Sequence, residues 1–133
     1  MIVVDTSAVV AIFRQEVDAA HYALRIAADA DPIMSAASLV EASIVLRGLK
    51  HLTAAKAERW LDDFIATAGI RIEPVTPEQA QIARSAHVRY GKGTGHGAAL
   101  NYGDCFAYSL AKTMTVPLLC KGNDFPLTDL VMA

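Results

Sequence analysis

Short unbroken apolar runs alternate along the chain with longer stretches that have helical spacing. The β-branched run at residues 2–4 predicts a buried strand that ends at Asp5. Residues 32–34, 70–75 and 116–119 predict three further strands. Because helical stretches separate these runs, the pattern favours an α/β domain with a mostly parallel sheet.

Six helices are predicted between and beside these strands, most of them with a polar residue in the capping position. We expect Thr6 or Ser7 to cap the first helix, and Ser35, Thr53 and Thr76 to cap later ones. The predicted helices span residues 6–14, 17–28, 35–49, 53–67, 76–90 and 103–114. Alternating glycines at 91–97 predict a loop, and residues 125–133 predict a short edge strand and tail.

Length and composition limit the class of protein. The 133 residues are 53% hydrophobic, which suits one compact domain spanning 1–133 without linkers or repeats. No apolar run approaches the roughly 18 residues needed to cross a bilayer. The first apolar stretch has no basic region before it and is interrupted by Asp5, so we expect no signal peptide and a cytoplasmic protein. Cys105 and Cys120 fit small buried residues better than a disulfide or a metal site.

The net charge of −2 argues against binding of nucleic acid, but the charges are unevenly distributed. No acidic residue lies between Glu78 and Asp104. That stretch carries Arg84, His87, Arg89, Lys92 and His96. A basic flank beside an acidic pocket is typical of a nuclease, and an ordinary solvated helix face explains the same pattern equally well.

Four carboxylates occupy positions that favour a metal site. Asp5 and Asp124 follow predicted strands, and Asp104 lies in the first turn of a helix. Glu41 lies on an otherwise apolar stretch, where a lone carboxylate is costly to bury. A divalent ion would offset that cost, and oxygen-only ligands favour Mg²⁺ or Mn²⁺ over zinc. Taken singly, these acids could also be helix caps, partners of a helix dipole or turn residues.

Four segments around these acids resemble one known family. They are VDTSA at residues 4–8, ASLVEA at 37–42, LNYGDCFAY at 100–108 and LLCKGNDF at 118–125. In this order, and over essentially the whole chain, they resemble the PIN-domain ribonucleases, most closely the VapC toxins of type II toxin–antitoxin pairs. The resemblance implies a three-layer α/β/α sandwich with a mostly parallel sheet. It also implies a metal-dependent endoribonuclease.

The same resemblance implies roles for individual residues. Asp5, Glu41, Asp104 and Asp124 would hold one or two Mg²⁺ or Mn²⁺ ions. Supporting roles fall to Thr6 and Ser7, which would help to orient Asp5, and to Asn101. Candidates for positioning the RNA backbone are Arg84, Arg89, Lys92 and Lys121.

Two partners besides RNA are implied by the resemblance: a second copy of the chain and a VapB-type antitoxin. The antitoxin would place an amphipathic helix on apolar residues of the early helices. The candidates are Val9, Val10, Ile12, Phe13, Trp60, Leu61 and Phe64. The alternative is a non-catalytic PIN-like module that binds RNA or protein. Such modules usually lack some of the acids, and this chain keeps all four.

Overall fold

The computed structural model describes residues 1–49 and 51–133. The strands are β1 (Ile2–Val4), β2 (Pro32–Ser35), β3 (Arg71–Glu73) and β4 (Leu118–Leu119). The helices are α1 (Thr6–Phe13), α2 (Ala19–Ala28), α3 (Ala36–Arg47), α4 (Ala54–Ala68), α5 (Pro77–Tyr90) and α6 (Asp104–Met114). The four strands predicted within residues 2–119 and the six predicted helices therefore all form, with shifts of a few residues at their ends.

The four strands form one parallel sheet in the order β3-β2-β1-β4. Val3 at the centre lies opposite Ile33 of β2 and Leu118 of β4. The chain runs outward from β1 to β3 and then returns across the sheet to β4. The carboxyl ends of β1 and β4 consequently flank the point where the strand order reverses, which is where parallel sheets usually bind ligands.

Alternate residues of the strands face two separate helical layers. Val3 and Leu118 pack with α5 and α6, whereas Val4 and Leu119 pack with α1 to α4. These four side chains are almost completely buried, as expected for strands covered on both faces. The predicted α/β/α sandwich is confirmed.

The first helix is capped differently from the prediction. Asp5, not Thr6 or Ser7, is the N-cap residue, and its Oδ2 accepts a hydrogen bond from the Ser7 backbone N–H at 3.0 Å. The extended backbone of Asp5 lets it close the strand and cap the helix at once. The predicted caps Ser35, Thr53 and Thr76 are confirmed, because each side chain accepts a backbone N–H of its helix.

Of the edge strand predicted at 125–133, only a single bridge at Met132 forms. Phe125–Leu127 forms a short 3-10 helix, closed by a hydrogen bond from the Leu127 N–H to the Asp124 carbonyl. Pro126 favours this turn because its ring fixes φ and its nitrogen cannot donate to a sheet. Beyond it, a single bridge pairs Met132 with Leu118.

Two of the residues predicted to receive an antitoxin helix belong to the core. Val9 and Leu61 are buried between the sheet and the helices, so neither offers an accessible surface. Phe13, Trp60 and Phe64 are only partly buried and pack on the outside of the same layer. Cys105 and Cys120 are both free thiols, and Cys105 is buried. No helix in the described part of the chain is long and apolar enough to cross a membrane.

Candidate metal centre

Asp5 lies at the carboxyl end of β1, in the crevice between β1 and β4. Its side chain is only 3% exposed. Oδ2 accepts the Ser7 backbone N–H at 3.0 Å and the Ser7 hydroxyl at 2.6 Å. Oδ1 is buried and has no hydrogen-bond partner. Burial raises the pKa of Asp5, and the bonds from Ser7 only partly oppose that rise.

Ser7 joins the ends of the two central strands. Its Oγ accepts the backbone N–H of Lys121 at 2.9 Å, just beyond β4, while donating to Asp5. Thr6 also lines the pocket, but its hydroxyl donates to the Ser38 carbonyl oxygen at 3.0 Å and not to Asp5. Of the two predicted hydroxyls, Ser7 therefore orients the Asp5 carboxylate, and Thr6 ties α1 to α3.

Glu41 projects from α3 toward the start of α6. It is half-buried, and this burial raises the pKa of its carboxyl group; the nearby Thr6 hydroxyl opposes the rise, and the charge of Asp5 adds to it. A Cβ added to Gly103 would overlap the Glu41 carboxylate. Gly103 therefore allows this close approach, a role that the sequence indicates only by placing a glycine directly before a helical aspartate.

Asp104 is held at the start of α6 by reciprocal bonds with Asn101. The Asn101 N–H donates to Asp104 Oδ2 at 3.0 Å, and the Asp104 N–H donates to Asn101 Oδ1 at 2.9 Å. This is the arrangement of a capping box, and it fixes the orientation of the carboxylate. Burial raises the pKa of Asp104 to about 6, with smaller contributions from the charges of Asp5, Glu41 and Asp124.

Asp124 lies at the exposed rim of this crevice. It follows β4 and precedes the 3-10 helix. Its charge raises the pKa of Asp104, so the two carboxylates are close enough to repel each other. Asp5, Glu41 and Asp104 line an open pocket of about 340 Å³, whereas Asp124 is not among the residues that line it.

Glu16 and Lys121 also line the pocket, and sequence reasoning missed Glu16. The Lys121 ammonium pairs with Glu16 and, at 3.0 Å, with Asp18. This positive charge is therefore already shared by two carboxylates outside the predicted set of four. Glu16 lies in the turn after α1, where nothing in the local sequence indicates a partner 105 residues away.

The other predicted RNA-contacting residues lie outside the pocket. Arg84 and Arg89 are exposed on α5, and Lys92 is exposed in the loop that follows it. The Arg89 guanidinium lies 4.7 Å from the centre of the Tyr90 ring. The structure thus brings Lys121 to the acids but not the other three, and Arg84 and Arg89 line two different pockets on either side of α5.

The donor set fits a hard divalent cation. Among the described residues, no three His, Cys, Asp or Glu side chains stand close enough to form a ready-made site. Nevertheless, Asp5 has a buried Oδ1 without a hydrogen-bond partner, and it lines a pocket with Glu41 and Asp104, whose carboxyl groups also have raised pKa values. A bound cation would offset both the cost of desolvating these carboxylates and the repulsion between them. Carboxylate oxygens suit Mg²⁺ or Mn²⁺ rather than zinc.

These pKa values predict that the metal-free protein becomes more stable as pH falls. The unfolded Asp104 side chain titrates near its ordinary value of 3.8, but the folded one titrates near about 6. Between these values the folded state binds more protons, so its stability is greater at about pH 5 than at about pH 7. We expect the melting temperature in EDTA to be a few degrees higher at about pH 5 than at about pH 7, which is the size of change that one raised pKa would cause.

The control for this pH effect is Asp104→Asn, which should show a smaller rise. Asp5 and Glu41 have raised pKa values as well, so some rise should persist in this variant. Saturating Mg²⁺ should oppose the trend, because the metal binds the deprotonated carboxylates. The prediction is contradicted if the metal-free melting temperature of the wild type falls from pH 7 to pH 5, or if it rises by the same amount in both proteins.

Comparison with known proteins places the chain in a family. Residues 2–130 match the PIN domain, and the chain therefore belongs to the PIN domain family. Ribonuclease VapC28 of Mycobacterium tuberculosis is 46% identical over 131 residues, which cover 98% of this chain and 96% of that protein. Ribonuclease VapC of Mycolicibacterium smegmatis is 45% identical over 127 residues, covering 96% of this chain and 95% of the relative.

The fold is also similar to that of a solved PIN toxin. The crystal structure of Mycobacterium tuberculosis VapC20, described as a sarcin–ricin loop cleaving toxin, aligns with a TM-score of 0.79 at 17% identity. The alignment covers 100% of this chain and 98% of VapC20. Ribonucleases of this family generally depend on divalent metal ions. The predicted fold and family are thus confirmed.

Proposed function

We propose that this chain is a divalent-metal-dependent endoribonuclease of the VapC type. One observation carries the proposal: Asp5, whose buried Oδ1 has no hydrogen-bond partner, lines a pocket that it shares with Glu41 and Asp104. Relatives at 45–46% identity over nearly the whole chain are named ribonucleases, which supports RNA as the substrate. Asp5, Glu41, Asp104 and Asp124 are the proposed ligands of Mg²⁺ or Mn²⁺.

The proposed chemistry is hydrolysis of an RNA phosphodiester. A bound Mg²⁺ or Mn²⁺ would supply Lewis acidity, which makes water a better nucleophile and stabilises charge on the phosphate. Ser7 holds Asp5 in position for this task, and Asn101 does the same for Asp104. His87 and His96 do not line the pocket, so we assign neither of them an acid–base role.

The test is cleavage of labelled total RNA and tRNA by the purified full chain without an antitoxin. We expect cutting with Mg²⁺ or Mn²⁺, no cutting in EDTA, and recovery when metal is added back. DNA of matched sequence and the Asp104→Asn variant are the controls. No cutting of either RNA pool by folded, metal-supplied protein contradicts the proposal and favours the non-catalytic PIN-like module.

We also propose that a VapB-type antitoxin binds beside α1 and α4. The aromatic ridge there consists of Phe13, Trp60 and Phe64. The Phe13 and Trp60 rings meet edge to face at 4.7 Å, and the Trp60 and Phe64 rings stack at 5.0 Å. VapBC2 from Rickettsia felis, solved bound to a promoter DNA fragment, has a similar fold with a TM-score of 0.74, which supports this partner. The proposal also includes a homodimer of this chain, which sedimentation of the purified protein would detect.

A further inference from the structure

A second groove lies beside the acidic pocket, between α5 and α6. It has a volume of about 450 Å³, within the range of small-ligand sites. Ala80, Ala83, Cys105 and Phe106 contribute apolar surface, and Arg84 and His87 contribute the polar groups. No acidic residue is among the residues that line it. This groove is therefore apolar with a basic edge, unlike the neighbouring pocket.

Tyr102 connects the groove to the proposed metal site. Its side chain is 79% exposed, although it is a large aromatic residue. Its ring meets the Phe106 ring edge to face, with 5.0 Å between the centroids. Tyr102 also lies directly between Asn101 and Gly103, in the segment that holds Asp104 and accommodates Glu41. An aromatic face is thus presented to solvent next to the carboxylates.

We propose that Tyr102 and this groove form a stacking subsite for an unpaired nucleobase of the RNA, next to the phosphate that is cut. The inference rests on the proposed ribonuclease function and names the residues that would hold one nucleotide of its substrate, Tyr102 and Arg84. Arg84 would contact the phosphate of that nucleotide. Aromatic stacking combined with nearby basic side chains is how proteins commonly hold unpaired RNA.

Charge favours RNA over an apolar protein segment as the occupant. The chain has no acidic residue between Glu78 and Asp104, so the edge formed by α5 carries only basic charges over that stretch. Arg84 contacts the Gln81 side chain through one nitrogen, at 3.1 Å, and has no ion pair to satisfy its charge among the described residues. A polyanion such as RNA would be attracted to this basic edge, whereas a neutral apolar segment would not.

The experiment measures binding of fluorescent oligo(A) and oligo(U) to the full chain in an Asp104→Asn background, which keeps the RNA intact. Tyr102→Leu keeps apolar bulk but loses the stacking face, and we expect it to weaken binding roughly 5- to 150-fold. Tyr102→Phe and Tyr102→Trp should bind about as well as the parent, since every aromatic ring can stack. Leu24→Ala, which shortens a side chain that is 70% exposed on α2, is the matched control and should have no effect.

An abasic nucleotide identifies the contact itself. Removing one base should weaken binding by the parent, while Tyr102→Leu should be insensitive to the same removal because the contact is already lost. Arg84→Gln should weaken binding on all sequences and reduce the slope of log affinity against log salt by about one. Equal binding by the parent and Tyr102→Leu overturns the inference, as does absence of oligonucleotide binding by the parent.

Cleavage assays on the same variants, with Asp104 restored, separate the two proposals. If the chain cuts RNA and Tyr102→Leu cuts and binds like the parent, the ribonuclease stands and the stacking subsite fails. If the chain cuts nothing but binds oligonucleotides through Tyr102, the subsite stands and the nuclease fails. If Tyr102→Leu instead dissociates a dimer in sedimentation, the groove is an interface between two copies of the chain, and the subsite is overturned.

Discussion

Asp5→Asn is expected to lower RNA cleavage by at least about 100-fold and to make the metal-free protein more stable. Both effects arise from the same buried carboxylate. Its Oδ1 has no partner, and burial raises its pKa, so the charged form is poorly solvated without a cation. Asparagine keeps an oxygen that can accept the bonds from Ser7, but it removes the charge that attracts the metal.

The stability effect should reverse when metal is present. In EDTA, we expect the variant to gain at least about 1 kcal/mol in free energy of unfolding, because a lone buried charge is costly. With saturating Mg²⁺ the wild-type chain gains stability from binding, and the variant should gain much less. Thermal unfolding with and without metal, together with a cleavage assay, measures both effects on the same samples.

Asp63→Asn is the matched control for this experiment. It makes the same change of charge on the exposed surface of α4, away from the pocket. We expect this variant to cut RNA at the wild-type rate and to respond to Mg²⁺ as the wild type does. An Asp5→Asn protein that still cuts RNA, or that unfolds earlier than wild type in EDTA, would show that Asp5 is a structural cap rather than a metal ligand.

The sequence predicts the framework of this fold well because its patterns are local. A short run of β-branched residues such as residues 2–4 favours a buried strand over other secondary structures. Ser35, Thr53 and Thr76 cap their helices by contacts within three residues. The first cap and the tail were predicted wrongly for equally local reasons. Asp5 can end a strand and cap a helix together, and Pro126 favours a 3-10 turn over a paired strand.

The candidate site was less predictable because its parts come from distant segments. Four acids in order, with a family resemblance, were sufficient to propose a metal centre. Nothing local reveals that the Lys121 backbone supports Ser7, or that Glu16 pairs with the Lys121 side chain. These contacts depend on β4 lying beside β1, which becomes visible only when the sheet order is known.

Gly103→Ala is expected to reduce cleavage by about 10- to 100-fold while leaving the fold intact. The new methyl group would overlap the Glu41 carboxylate. This carboxylate is the free end of a flexible side chain, so it can move away at little cost to stability. It would then move away from the pocket that it shares with Asp5 and Asp104, and the arrangement of the proposed metal ligands would change although the ligands themselves stay the same.

Two further variants determine whether displacement of Glu41 causes the reduced cleavage by Gly103→Ala. Gly97→Ala is the control, since a Cβ there meets only Leu127 at an ordinary 3.5 Å, and its activity should be unchanged. Adding Glu41→Asp to Gly103→Ala shortens the displaced side chain, and we expect it to restore part of the metal-dependent rise in melting temperature. Full activity in Gly103→Ala would mean that Glu41 works equally well from another position. Loss of folding in Gly103→Ala would mean that the glycine serves the backbone of α6, and the close approach to Glu41 would then be incidental.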